Sequence, residues 1–94
     1  MAAQADVAAE LLKALSNAQR LRILCLLADA ELSVGELNSG LELSQSALSQ
    51  HLAVLREHQL VNTRRESQTV YYSIAEGPVQ KVINTLHEIY CPLD

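Results

Sequence analysis

Two capped helices separated by a glycine turn decide the fold of this 94-residue chain, in the stretch Leu32–His58, LSVGELNSGLELSQSALSQHLAVLREH. Ser33 and Glu36 are spaced as a capping box, so a short helix should begin there. It should end near Gly40, where glycine suits the left-handed conformation that commonly follows a helix. Ser44 is a second N-cap, and its helix should run to the end of the stretch. This arrangement predicts a helix-turn-helix.

The outward face of the Ser44 helix indicates what the helix does. Leu48, Leu52 and Leu55 repeat at i, i+4 and i+7, the period of one buried face. The exposed positions near the N-terminus carry hydroxyl and amide groups, whereas a solvated face more commonly carries Glu and Lys. Such groups both donate and accept hydrogen bonds, as base edges in the major groove require. The DNA contacts predicted on this helix are Ser44, Gln45, Ser46, Ser49, Gln50 and His51.

Two further helices are predicted before the helix-turn-helix. The first should cover about Gln4–Ala14. The second should begin at Ser16, where Ser16 and Gln19 fit another capping box. It is apolar on nearly every side over residues 21–28, which predicts a place in the core, and it carries Cys25.

A β-hairpin is predicted after Leu60, where the hydrophobic period changes from helical to alternating. Ser67-Gln68 separates the two alternating runs. Arg64, Arg65 and Gln68 near the tip suit phosphate or minor-groove contacts. The alternative interpretation is that the two arginines only add charge at a turn.

A last helix should start at Gly77-Pro78, because proline is favoured in a first turn, and should stop at Pro92. The predicted fold class is all-α with a β-hairpin wing, a winged helix-turn-helix of order ααααββα. Residues 1–94 should form a single DNA-binding domain, since the chain is too short for two domains.

Charge gives the DNA-binding hypothesis little support. The net charge is −4, and residues 44–75 form the only non-negative stretch, with three basic and two acidic groups. No apolar run approaches a membrane span, and the first residues lack the pattern of a signal peptide. We therefore expect a cytoplasmic protein without a membrane partner, in which stable disulfides are uncommon. No enzyme motif is visible; the rival to a regulator is a protein-interaction module of the same fold.

The helix-turn-helix resembles the ArsR/SmtB family of repressors. The similarity lies in Leu15–Leu24, Leu32–Leu37, Leu43–Leu52, Leu55-Arg56 and Leu60-Val61, and it extends over almost the whole chain. It implies a homodimer joined by its first and last helices. Twofold symmetry would then place the two Ser44 helices in successive major grooves of an inverted-repeat DNA operator.

Many members of this family sense metals, but the metal ligands are incomplete here. One family site uses Cys-x-Cys at the third helix, where this chain has Ser33 and Gly35. Another uses carboxylates and histidines along the last helix, where only Glu76, His87 and Glu88 are available. Zinc generally needs four ligands, so no metal or other cofactor is predicted. A site split between Cys25, Cys91 and His87, as in a metal-sensing repressor, stays as an alternative.

Cys25 and Cys91 resemble the cysteine pair of the BigR- and HlyU-type regulators within the family. The resemblance implies a redox sensor in which oxidants or low-molecular-weight persulfides join the two by a disulfide or polysulfide bridge. His87 lies four residues before Cys91 on the same helix face, where it would favour a thiolate. The alternative is that Cys25 is a small buried hydrophobe and Cys91 an incidental thiol.

Overall fold

A computed structural model describes residues 2–90. These residues form five helices and a three-stranded antiparallel sheet. The elements are α1 Ala2–Leu15, α2 Ala18–Asp29, β1 Leu32–Ser33, α3 Val34–Ser39, α4 Gln45–Glu57, β2 Val61–Glu66, β3 Thr69–Ile74 and α5 Pro78–Tyr90. The predicted winged helix-turn-helix is confirmed, and the expected stop at Pro92 lies outside the described residues. Within residues 2–90, no helix is long and apolar enough to cross a membrane.

The core lies between α2, α3, α4, α5 and one face of the sheet. Its fully buried side chains come from four helices, and they are Ile23, Leu24, Leu27, Leu37, Leu48, Leu52, Leu55 and Ile83. Burying each such side chain stabilises the fold by roughly 1.5–3 kcal/mol. The three leucines predicted on the inner face of α4 are all buried, which leaves its other face in solvent. By contrast, α2 is not buried on every side, because Leu26 is 37% exposed and Cys25 is half-buried.

The N-cap of α2 is Asn17, so the prediction of Ser16 at this position was wrong. The Asn17 Oδ1 atom accepts hydrogen bonds from the backbone N–H groups of Gln19 at 2.9 Å and Arg20 at 3.1 Å. Ser16 instead belongs to the turn that ends α1, where its N–H donates to the Lys13 carbonyl. Adjacent Ser and Asn are both good caps, and here the longer amide side chain satisfies two backbone donors.

The backbone at Gly40 is right-handed, with φ −86° and ψ −2°, which corrects the left-handed conformation predicted there. Its N–H donates to the Glu36 and Leu37 carbonyls, so α3 ends in a tightened turn. The left-handed helix end follows α4 instead, where Gln59 has φ 59°. The Leu60 N–H donates to the Leu55 carbonyl at 2.9 Å, as in a Schellman motif.

The sheet contains one strand that the sequence pattern did not predict. Besides the expected hairpin of β2 and β3, the two-residue strand β1 pairs with β3, giving the order β1-β3-β2. Two residues are too few to show an alternating period. The sheet thereby ties the start of α3 to the base of the wing.

Candidate DNA-binding surface and cysteine site

Reciprocal hydrogen bonds fix the start of the helix-turn-helix. In the predicted capping box, the Glu36 N–H donates to Ser33 Oγ at 3.1 Å, and the Ser33 N–H donates to Glu36 Oε1 at 2.9 Å. At the start of α4, the Ala47 N–H donates to Ser44 Oγ at 3.1 Å. Both N-caps are confirmed. They satisfy backbone N–H groups that would otherwise lack a partner at the starts of α3 and α4.

The outer face of α4 is open to solvent near its N-terminus. Among the predicted contact residues, five are exposed and His51 is half-buried; the exposed ones are Ser44, Gln45, Ser46, Ser49 and Gln50. The first turn contains no acidic side chain. The partial positive charge of the helix N-terminus therefore faces outward without a neighbouring carboxylate on the helix. This face can hydrogen-bond to base edges and accept a phosphate near its end.

The hairpin is attached to the same helix. Arg56 in the last turn of α4 donates a hydrogen bond to the Tyr72 hydroxyl on β3. Tyr72 is buried, and its ring centroid lies 6.0 Å from the Arg56 guanidinium carbon. This contact joins the last turn of α4 to β3 of the wing.

Two of the three polar residues predicted at the wing, Arg65 and Gln68, are exposed. Arg65 is paired in register with Val70 near the end of the hairpin, and Gln68 lies in its two-residue turn after Ser67, which has φ 56°. Within residues 2–90, neither of the salt bridges involves Arg65. Both side chains can reach outward from the tip.

Arg64, the third polar residue predicted at the wing, forms salt bridges with two carboxylates. Its Nη2 lies 2.7 Å from Glu31 Oε1, and its Nη1 lies 2.7 Å from Glu66 Oε2. Its Nε donates to both Glu31 oxygens at 3.2 Å. The hydrogen bond from Arg64 lowers the pKa of the Glu31 carboxyl, and the same pairing raises the pKa of Arg64. Sequence reasoning missed Glu31, since nothing in a local pattern links residues 33 positions apart.

Cys25 lines a cavity of about 680 Å³ between α2, the α3–α4 turn and α5. The wall is mostly apolar, with Leu21, Leu41 and Leu86 among its residues. Arg22, His87 and Asp29 line the same cavity, so two basic side chains and one carboxylate share it with the thiol. Cys91 lies outside the described residues, and only Tyr90 before it is seen in the cavity wall.

In the part of the chain that the structure describes, the candidate metal ligands do not lie together. No group of three or more His, Cys, Asp or Glu residues with metal-binding geometry occurs within residues 2–90. The Ser33 hydroxyl is occupied as a helix cap. Glu76 lies in the groove beside α1, whereas His87 lies in the cavity of Cys25.

The terminal helices carry apolar side chains that the single subunit leaves in solvent. On α1, Val7 is 71% exposed and Leu12 is 59% exposed. On α5, Ile89 is 59% exposed and Tyr90 is 76% exposed. Exposed large apolar groups on two helices are typical of a surface that another protein covers.

A capped helix pair with an exposed hydroxyl and amide face, beside a β-hairpin attached to it, defines a winged helix-turn-helix domain. The family described as "Bacterial regulatory protein, arsR family" matches residues 17–63. The protein belongs to this family of transcription regulators.

Individual relatives extend the match to nearly the whole chain. The protein is 63% identical to the transcriptional activator HlyU of Vibrio cholerae over 81 residues, which cover 86% of this chain and 75% of the relative. It is 44% identical to the biofilm growth-associated repressor of Agrobacterium fabrum over 91 residues, 97% of this chain and 78% of that protein. Both relatives are named as regulators of transcription and not as enzymes.

Solved structures of relatives have the same fold. HlyU from Vibrio cholerae superposes with a TM-score of 0.94 at 58% identity, covering 97% of this chain and 99% of that one. A second structure of the same relative is described as reduced HlyU. A homodimeric winged helix-turn-helix DNA-binding domain from Mycobacterium bovis superposes with a TM-score of 0.82 at 34% identity, covering 94% and 82% of the two chains.

Proposed function

We propose that this regulator acts as a repressor-type DNA-binding protein that reads an operator with α4 and the wing. The observation that carries the proposal is the exposed, uncharged N-terminal face of α4, held by the Ser44 cap. The proposed base-reading residues are Gln45, Ser46, Ser49, Gln50 and His51, with Ser44 at the helix end and Arg65 and Gln68 on the wing. Residues 1–94 would act as one DNA-binding domain in the cytoplasm.

The test is a gel shift with duplexes selected from a randomised library, repeated at several salt concentrations. Gln50→Ala should lose discrimination at one position of the selected site by about 1–3 kcal/mol. Asn84→Ala is the matched control, because it also removes an exposed amide but from α5. Equal binding of wild type to all duplexes, or equal loss in both variants, would contradict base reading by α4. Failure to bind any duplex would favour the protein-interaction module.

We propose that the protein works as a homodimer through the exposed apolar residues of α1 and α5. A twofold dimer would present two α4 helices to an inverted repeat. Ile89→Lys should shift the molecular mass in light scattering from dimer to monomer and weaken operator binding. Lys81→Ala, an exposed change on the same helix, should leave the dimer intact. A wild-type monomer at micromolar concentration would contradict the proposal.

We propose that Cys25 and Cys91 form the signal site. A thiolate at Cys25 would attack the outer sulfur of an organic persulfide, giving a Cys25 persulfide and releasing the carrier as a thiolate. A Cys91 thiolate would then attack the inner sulfur, forming a disulfide and releasing hydrosulfide. With peroxide, the Cys25 thiolate would first be oxidised to a sulfenic acid with release of hydroxide, and the Cys91 thiolate would then displace a second hydroxide from that sulfur to form the disulfide. Arg22 in the cavity wall would favour the thiolate of Cys25, whereas Asp29 in the same wall would oppose it.

A bridge between α2 and the chain after α5 would shift the dimer between DNA-competent and DNA-incompetent forms. Mass spectrometry after persulfide or peroxide treatment distinguishes a disulfide from a longer sulfur chain. Cys25→Ser and Cys91→Ser should each bind the operator as wild type does but ignore the inducer. Release of either variant by persulfide would contradict the signal site, and release of wild type by zinc alone would favour metal sensing.

A further inference from the structure

We propose that Arg64 positions the wing and does not contact DNA, and that Arg65 is the phosphate ligand of the wing. The proposal rests on the DNA-binding function proposed above, and it reassigns Arg64, which the sequence alone placed among the DNA contacts. Neighbouring residues of one strand point to opposite faces of the sheet, so the two arginines cannot act on the same side.

Arg64 connects all three strands on one face of the sheet. Because the strand order is β1-β3-β2, Arg64 on β2 must cross β3 to reach Glu31, the residue before β1. On the way its guanidinium carbon lies 4.7 Å from the ring centroid of Tyr71, its direct partner on β3. The three guanidinium nitrogens all donate to carboxylates. A planar guanidinium can donate to both carboxylates at once, whereas the single ammonium group of a lysine could not reproduce this arrangement.

The charge around Arg64 disfavours a phosphate. One guanidinium is paired with two carboxylates, Glu31 and Glu66, so the cluster carries a net charge of −1. A DNA phosphate could bind Arg64 only by displacing Glu31 and coming close to Glu66. The hydrogen bond from Arg64 lowers the pKa of Glu31, which therefore stays ionised at neutral pH. Glu31 thus competes with any approaching anion.

Arg65 lies on the other face of the hairpin, the one turned toward α4. In the register of the hairpin, Arg65 pairs with Val70, and the same face continues through Tyr72 and Ile74 into the core. Tyr72 is the residue that accepts the hydrogen bond from Arg56 of α4. Arg65 therefore extends from the face that carries the DNA-reading helix, where it meets no carboxylate partner within residues 2–90.

The experiment compares two exposed glutamates that contact the same arginine. Glu31→Ala removes the link across the sheet, whereas Glu66→Ala removes a partner on the same strand. Affinity for a selected duplex is measured by fluorescence anisotropy over a series of salt concentrations, and thermal unfolding by circular dichroism confirms that each variant is folded. If Arg64 positions the wing, Glu31→Ala should weaken binding by about two- to fivefold, as expected for an exposed ion pair. Glu66→Ala should bind as tightly as wild type or more tightly.

The salt dependence of DNA affinity distinguishes the role of Arg64 from that of Arg65. Arg65→Gln should reduce the slope of log affinity against log salt by about 0.9 for each subunit, because one phosphate contact is lost. Arg64→Gln and Arg64→Lys should weaken binding without changing that slope. A DNA-contacting Arg64 predicts the reverse: Glu31→Ala would tighten binding by freeing the arginine, and Arg64→Gln would reduce the slope. Tighter binding by Glu31→Ala, or an unchanged slope in Arg65→Gln, overturns the proposal. Wild-type protein that binds no duplex contradicts the proposed function itself.

Discussion

At the N-cap of α4, stability and DNA affinity should respond separately to substitution. Ser44 Oγ accepts the Ala47 N–H at 3.1 Å, and Ser44→Ala leaves this donor without its side-chain partner. Loss of a serine N-cap typically costs about 1 kcal/mol of unfolding free energy. In a domain of this size, that lowers the Tm by about 4–8 °C. Ser44→Asp keeps a cap acceptor and adds a charge that the helix dipole favours, so its Tm should equal or exceed that of wild type.

DNA affinity should follow the opposite order. Ser44→Asp places a negative charge where we propose that α4 meets the phosphates, and it should weaken binding by about tenfold at low salt. Ser44→Ala should weaken binding much less, because it adds no charge. Asn17→Asp is the matched control: it adds the same charge at the cap of α2 and retains the acceptor atom.

Thermal unfolding by circular dichroism and fluorescence anisotropy measure the two effects at one protein concentration, since the proposed dimerisation would make the Tm depend on concentration. A Tm for Ser44→Asp as low as that of Ser44→Ala would refute the capping argument. Wild-type affinity in Ser44→Asp would refute the approach of this helix end to DNA.

Three further predictions follow from packing, backbone conformation and charge. Ile83 is fully buried, so Ile83→Val should lower the unfolding free energy in urea by about 0.5–1.5 kcal/mol. Gln59 has φ 59°, so Gln59→Gly should raise the same free energy by about 0.5–1 kcal/mol through relief of left-handed strain; a loss would contradict this. An NMR titration that follows the carboxyl carbon of Glu31 should give a pKa below the usual 4.5, because Arg64 donates hydrogen bonds to this carboxylate. Arg64→Gln should return the pKa toward 4.5. The stabilisation from this pair should be present above the ordinary pKa and lost as the pH falls through the lower folded-state pKa.

The parts of the fold that sequence predicted are those with a local cause. The capping box at Ser33, the cap at Ser44 and the leucine period of α4 each depend on residues within two helical turns, and all three are confirmed. The errors arose where two local solutions compete. Asn17 could replace Ser16 because both are good caps, and α3 could end at Gly40 without a left-handed residue.

The parts of the site that sequence did not predict depend on contacts between distant segments. The exposed face of α4 could be assigned from its period, because burial of one face determines the other. The pairing of Arg64 with Glu31 could not, since it depends on the short strand β1 lying beside β3. In the same way, only the packing of α2 against α5 brings His87 into the cavity of Cys25.

The hydrogen bond from Arg56 to Tyr72 has a consequence for how an operator sequence evolves. Because it joins α4 to the wing before any DNA is met, the protein should lose little conformational freedom on binding. For the same reason, α4 and the wing should not separate easily to bind an operator in which their two contact sites lie farther apart. Base substitutions in an operator should therefore be tolerated one at a time at graded cost, whereas a single inserted base pair between the major-groove and wing contacts should abolish recognition.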